Sequence, residues 1–74
     1  STQQNIVIVP YEAVVFSQAE DYVFINQDGI AIKNIVKTGR AFEDGIELIS
    51  GISADDRLIV SEIGKLSNGC NVKE

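Results

Sequence analysis

A chain of 74 residues leaves room for one compact unit, and its net charge of −5 argues against two common partners, because a nucleic-acid footprint and electrostatic docking on an anionic lipid surface both need clustered Lys and Arg. Hydrophobic residues at 45% and charged residues at 23% lie close to globular averages, which argues against a disordered tail. So small a unit buries only about 60% of its unfolded surface; residues 1–74 therefore read as a single domain of marginal stability that a partner or the rest of a longer polypeptide would cover along an edge.

In chain order, residues 5–9 form the first strand expected from β-branched content. Pro10-Tyr11-Glu12-Ala13 follows, with Pro in the position that opens a helical turn, and residues 13–16 give a second strand. The apolar runs at 6–10 and 13–16 are far shorter than the roughly 20 residues a membrane-spanning helix requires, so no direct membrane span is expected. Tyr22-Val23-Phe24-Ile25, the turn Asn26-Gln27-Asp28-Gly29 and Ile30-Ala31-Ile32 read as a β-hairpin, because Asp-Gly supplies the positive φ angles of a tight reversal. Its second strand is expected to run over 30–38.

Beyond Thr38-Gly39 and Glu43-Asp44-Gly45, a strand over 45–49 ends at Ser50-Gly51. Period-two placement there and in residues 57–61 turns Ile46, Leu48, Leu58 and Val60 inward and leaves Glu47 and Arg57 in water. A competing reading exists for the second of these stretches. Ser53-Ala54-Asp55-Asp56 could cap a helix carrying Leu58, Ile59, Ile63 and Leu66 as a stripe, although Gly64 and the β-branched pair Ile59-Val60 weaken it. Ser67-Asn68-Gly69 marks a last turn. Gly29, Gly39, Gly51 and Gly69 are assigned to turns rather than to a phosphate cradle, since no Gly-rich loop opens a helix or precedes Lys-Ser/Thr.

Catalytic chemistry finds little to work with. His is absent, which removes the commonest acid–base group and metal ligand, and Cys70 has neither a second Cys for a disulfide nor a His to activate it. Cys70 is read as a small half-buried hydrophobe. The carboxylate pairs Glu20-Asp21, Glu43-Asp44 and Asp55-Asp56 sit in predicted turns without EF-hand spacing and are read as solvated loop charge. Tyr11, Phe16, Tyr22, Phe24 and Phe42 could stack on single-stranded nucleic acid, but the acidic balance favours core packing or an apolar edge for a protein partner. No Lys is presented at a strong hairpin tip, as a lipoyl or biotinyl carrier requires. No enzyme, cofactor or metal is expected.

The order of these elements resembles a known family. Val9-Pro10 with Ala13-Val14-Val15, then Tyr22-Val23-Phe24-Ile25, Asp28-Gly29, Val36-Lys37-Thr38-Gly39, Gly45-Ile46-Glu47-Leu48-Ile49-Ser50-Gly51-Ile52, Asp56-Arg57-Leu58-Ile59-Val60 and Lys65-Leu66-Ser67-Asn68-Gly69-Cys70-Asn71-Val72 is similar to the C-terminal, membrane-proximal region of periplasmic adaptor subunits. These are the membrane fusion proteins of resistance-nodulation-division efflux pumps. Asp55-Asp56 departs from the Gly-Asp usual before the Val-rich strand.

The resemblance implies an all-β fold, a small antiparallel β-roll or partly open barrel of five to six short strands with one short helical turn near Pro10. It favours turn-then-strand over helix at residues 53–61. It also implies a fragment of a longer adaptor, periplasmic and held at the inner membrane of a Gram-negative bacterium, whose partners are an inner-membrane efflux transporter, other adaptor protomers and, through the rest of the chain, an outer-membrane channel. In that family one strand of the domain comes from the distant N-terminal part of the adaptor, so an open edge is expected. The alternative is a stand-alone small β-barrel that binds a peptide or small ligand.

Overall fold

The computed structural model of the chain describes residues 7–53 and 55–72; Asn5 and Ile6 of the first expected strand and Ala54 of the expected bend lie outside them. Five strands form one sheet in the order β1-β5-β4-β3-β2, each antiparallel to its neighbours: β1 (Val7–Val9), β2 (Val14–Val15), β3 (Asp21–Gln27), β4 (Ile30–Ala41) and β5 (Ile46–Ser50). Single 3-10 turns over Tyr11–Ala13 and Ile63–Lys65 are the only helical pieces among the described residues. The first follows Pro10, where the fixed φ of proline suits a helical start.

Consecutive strands β1 and β2 lie at opposite edges of the sheet, and this forces it to roll. A flat sheet of five strands would hold its outer strands about 19 Å apart. The link from Val9 to Val14 contains a 3-10 turn, which rises only about 2 Å per residue, so it cannot reach that far. The sheet curls instead, and Val9 and Val14 meet in one core with Ala13, Val23, Ile25, Val36, Ile46 and Leu48. The result is a partly open roll whose edge strands do not pair with each other among the described residues.

The hairpin is where the Asp-Gly signal places it. Gln27 pairs with Ile30, Asp28 and Gly29 take φ of 54° and 85°, and the Gly29 amide donates to Asn26 Oδ1 at 2.9 Å. Positive φ at both central residues is the reversal that matches strand twist, and Gly bears it without a Cβ penalty.

Residues 57–61, expected as a strand with Leu58 and Val60 inward, do not form one. The stretch touches β3 at one bridge, Leu58 to Ile25, flanked by Asn26 N–H donating to Arg57 carbonyl at 2.7 Å and Ile59 N–H donating to Phe24 carbonyl at 2.9 Å. Leu58 packs against the main core, Ile59 packs on the opposite side, and Val60 is 47% exposed. The alternation fails because the chain leaves the sheet here: Glu62 turns left-handed at φ 57° and leads into the 3-10 turn. Ile46 and Leu48 are buried, at 7% and 2% exposure.

The rest of the C-terminal segment wraps the hairpin. β2 covers the outer edge of β3 only at Tyr22 and Val23, and β5 covers β4 only from Lys37 onward. Residues 57–59 take the vacant length of β3. Residues 68–72 take the vacant length of β4, through Ala31 N–H to Cys70 carbonyl (2.8 Å), Gly69 N–H to Ala31 carbonyl (2.7 Å) and Val72 N–H to Gly29 carbonyl (2.8 Å). Between them Ile63 closes a second, smaller core over Phe24 and Ala31, with Ile59, Leu66, Cys70 and Val72 at its margin. Cys70 is thus a half-buried packing residue.

Candidate functional site

The two faces of the roll differ in chemistry. Alternation in β5 sends Ile46 and Leu48 into the core and turns Glu47 and Ile49 outward; across the ladder Val9 opposes Ile46, which leaves Ile8 outward beside Glu47. In β4 Val36 enters the core, so Ile35, paired with Tyr22, faces out. Ile8, Ile35 and Ile49 are 52%, 55% and 58% exposed. Period-two reasoning names the inward residues of such strands. The informative signal for this face is the converse: β-branched residues at the outward positions, where polar ones are the rule.

A β-bulge shapes the centre of the face. Gly39 and Arg40 of β4 together oppose Glu47 of β5, and Ile49 is the extra residue in a second register shift beside it. Gly39 was expected in a turn, yet it lies inside β4. Its role is close approach: a Cβ there would come within 2.5 Å of Glu47 Oε1 and 3.0 Å of Ile49 Cδ1. The space left by the missing side chain lets Glu47 fold back and accept the Arg40 amide at 3.1 Å, a donor that the bulge removes from the ladder. Glu47 is accordingly half-buried, in contrast to the solvated position expected for it. Gly51 and Gly69 have φ of 108° and 89° and lie at bends, as Gly29 does.

Next to this face Lys33 Nζ stands 4.3 Å from the centroid of the Tyr22 ring, and Tyr22 meets Phe24 edge-on at 5.7 Å. The aromatics divide between packing and exposure. Phe24 is in the second core and Tyr22 at its margin; Tyr11 packs on the main core and donates its hydroxyl to the Phe42 carbonyl; Phe16 and Phe42 are 51% and 39% exposed. Phe16 and Phe42 do not join Tyr22 in a stacking platform.

Within the carboxylate pairs, Asp21 is held at the start of β3 and Asp56 in a turn. Asp21 accepts from the Ser17 amide at 3.4 Å and from Thr38 Oγ1 at 3.2 Å, and Asp56 accepts the Ser53 amide at 2.8 Å. Glu43 and Asp44 sit in the exposed connection between β4 and β5, closed by Phe42 N–H to Gly45 carbonyl at 2.7 Å. Asp28, Asp55 and Asp56 line a cleft of about 1000 Å³ between the hairpin tip and residues 55–57, with Asn26, Asn34 and Arg57. Among the described residues no three His, Cys, Asp or Glu side chains are grouped to hold a metal ion, and every charged side chain lies outside the buried core. None of the described helical turns is long and apolar enough to cross a membrane.

Comparison with known proteins places this arrangement in context. The family described as "YknX, C-terminal permuted SH3-like domain" matches residues 6–74. A protein named multidrug resistance protein MdtA, from Cronobacter turicensis, is 32% identical over 72 residues, covering 96% of this chain and 17% of its own length. Proteins of the same name from Salmonella typhimurium and Escherichia coli O139:H28 are 32% and 29% identical over 73 residues, each match covering 97% of this chain and 18% of the relative. The chain therefore spans less than a fifth of the length of these relatives. No solved structure matches it.

Proposed function

Because the chain belongs to the family of YknX C-terminal permuted SH3-like domains, we propose that it serves as the membrane-proximal assembly module of a periplasmic adaptor, a non-enzymatic scaffold that docks on an inner-membrane efflux transporter. The same strand-and-turn order that resembles the membrane fusion proteins runs through the length matched by the MdtA relatives, whose name connects them with multidrug resistance. The observation that carries the reading is the outward face of β1, β4 and β5. Ile8, Ile35 and Ile49 are each about half exposed there. Apolar side chains that alternation should have made polar are what a protein interface uses, with water excluded at its centre and charge at its rim.

In this reading the domain works on the periplasmic side of the inner membrane in a Gram-negative bacterium. It contributes surface complementarity to the transporter and to neighbouring adaptor protomers, and the outer-membrane channel is reached through other parts of the parent chain. No bond is made or broken and no cofactor is used.

The decisive experiment places Ile35→Asp and Ile49→Asp together in the complete adaptor and measures its co-purification with the cognate transporter. Burying a carboxylate against an apolar partner surface is expected to weaken association by tenfold or more, about 1.4 kcal/mol, while Gln18→Asp outside the face leaves it unchanged. Undiminished association by a double variant that melts at the wild-type temperature overturns the assignment of this face.

A further inference from the structure

Asn68-Gly69 is the sequence pair most prone to spontaneous loss of the side-chain amide, because a glycine on the C-terminal side offers no Cβ to hinder its own nitrogen. It lies at an exposed turn, closed by Cys70 N–H to Ser67 carbonyl at 3.0 Å, with Gly69 at φ 89°. Two further hydrogen bonds engage both reacting groups. The Gly69 N–H, whose nitrogen is the nucleophile, donates to the carbonyl of fully buried Ala31 at 2.7 Å, and the Asn68 side-chain oxygen accepts the Lys33 amide at 2.9 Å.

We propose that Asn68-Gly69 is a deamidation site gated by docking of the C-terminal segment on β4. In the reaction the Gly69 nitrogen loses its proton and bonds to Asn68 Cγ, the Cγ–Nδ2 bond breaks, and ammonia departs, leaving a cyclic imide. Water then opens one of the two imide C–N bonds, giving an aspartyl or an isoaspartyl residue. While the segment is docked, the amide proton is held by Ala31 and the carboxamide is fixed toward Lys33, so the ring cannot close. Undocking frees both groups at once.

The modification also runs in one direction. It replaces a neutral amide by a carboxylate, and the isoaspartyl product adds a methylene to the main chain between the anchors that Lys33 and Ala31 hold. Redocking then loses its register, and Phe24 and Ala31 stay uncovered. Asp28-Gly29 and Asp44-Gly45 can form the same imide only by losing water from a carboxyl group, which is intrinsically slower, so Asn68 is the site that records undocking.

The test follows the gain of 1 Da, with isoaspartyl content assigned by fragmentation, in three samples kept in mildly alkaline buffer: the folded chain, the same chain in urea, and a short peptide spanning residues 65–71. Protection by a closed state with an opening free energy of about 1.4 kcal/mol or more predicts a folded-state rate slower by about tenfold or more than in the other two samples. Ile63→Ala, which loosens the docked segment without touching the turn, should raise the rate in native buffer while the far-ultraviolet spectrum of the sheet persists. Equal rates in folded chain and peptide, or a faster rate in the folded chain, overturn the proposal. The comparison of wild-type samples stands even if the variant unfolds.

Discussion

At single positions the roll rests on a few side chains that cannot be exchanged. Leu48 is 2% exposed at the centre of the main core, opposite Val7 on one side and Thr38 on the other. Leu48→Ala should cost about 2–5 kcal/mol and lower the urea midpoint sharply, a large share of the roughly 4–11 kcal/mol expected for a domain this size. Val60→Ser makes the opposite case: the side chain is 47% exposed, and the substitution should change stability by no more than about 0.5 kcal/mol in the same titration. Gly39 is constrained by contact. A methyl group at that position collides with the folded-back Glu47 carboxylate and with Ile49, so Gly39→Ala should displace Glu47 and leave the Arg40 amide unpaired. The expected loss is about 1 kcal/mol, and Glu47→Ala should produce a similar loss that does not add to it, as a double-mutant cycle would register.

Elements differ in how they are held. The β3–β4 hairpin carries its own turn and seven paired residues on each strand, from Asp21–Val36 to Gln27–Ile30. The segment over 57–72 has no ladder of its own and depends on isolated bonds to the hairpin edges and on Ile63 beneath it. Such a segment should open as a unit before the sheet does. In amide exchange, Ala31 and Asn26, which bond to Cys70 and Arg57, should lose protection at a lower opening energy than Val23 and Ile25 do. Equal protection across these four amides would place the C-terminal segment in the same cooperative unit as the sheet. The segment also explains why β3 and β4 expose so little edge. It fills the lengths that the short β2 and the offset β5 leave vacant, a device that keeps strand edges from pairing with foreign chains.

For the whole molecule, two edges remain unpaired: the outer sides of β1 and β2 close no ladder among the described residues. β1 also displays Ile8, 52% exposed, next to that edge. The isolated chain should therefore associate edge to edge as concentration rises toward millimolar, seen as growing mass in light scattering. Ile8→Lys should suppress it, since a charged side chain at an edge resists strand addition. A strict monomer throughout the range would mean that the edges are closed to strand addition.

Five of the six expected strands, the hairpin turn and the inward placement of Ile46 and Leu48 were legible in the sequence, because these follow from local chemistry: β-branched alternation around those two residues, and a pair at Asp28-Gly29 that tolerates positive φ. The sequence also determined the family resemblance, which rests on the order of those pieces. Three outcomes depended on contacts between distant segments. Val60 turned outward because the partner of residues 57–61 is a short vacant length of β3, and one bridge cannot impose period-two alternation on five residues. Gly39 became a strand residue because the bulge that needs it arises from register between β4 and β5, which no local pattern encodes. The sheet rolled because two strands adjacent in sequence came to lie at opposite edges, and a link shorter than the sheet is wide leaves curvature as the one way to join them.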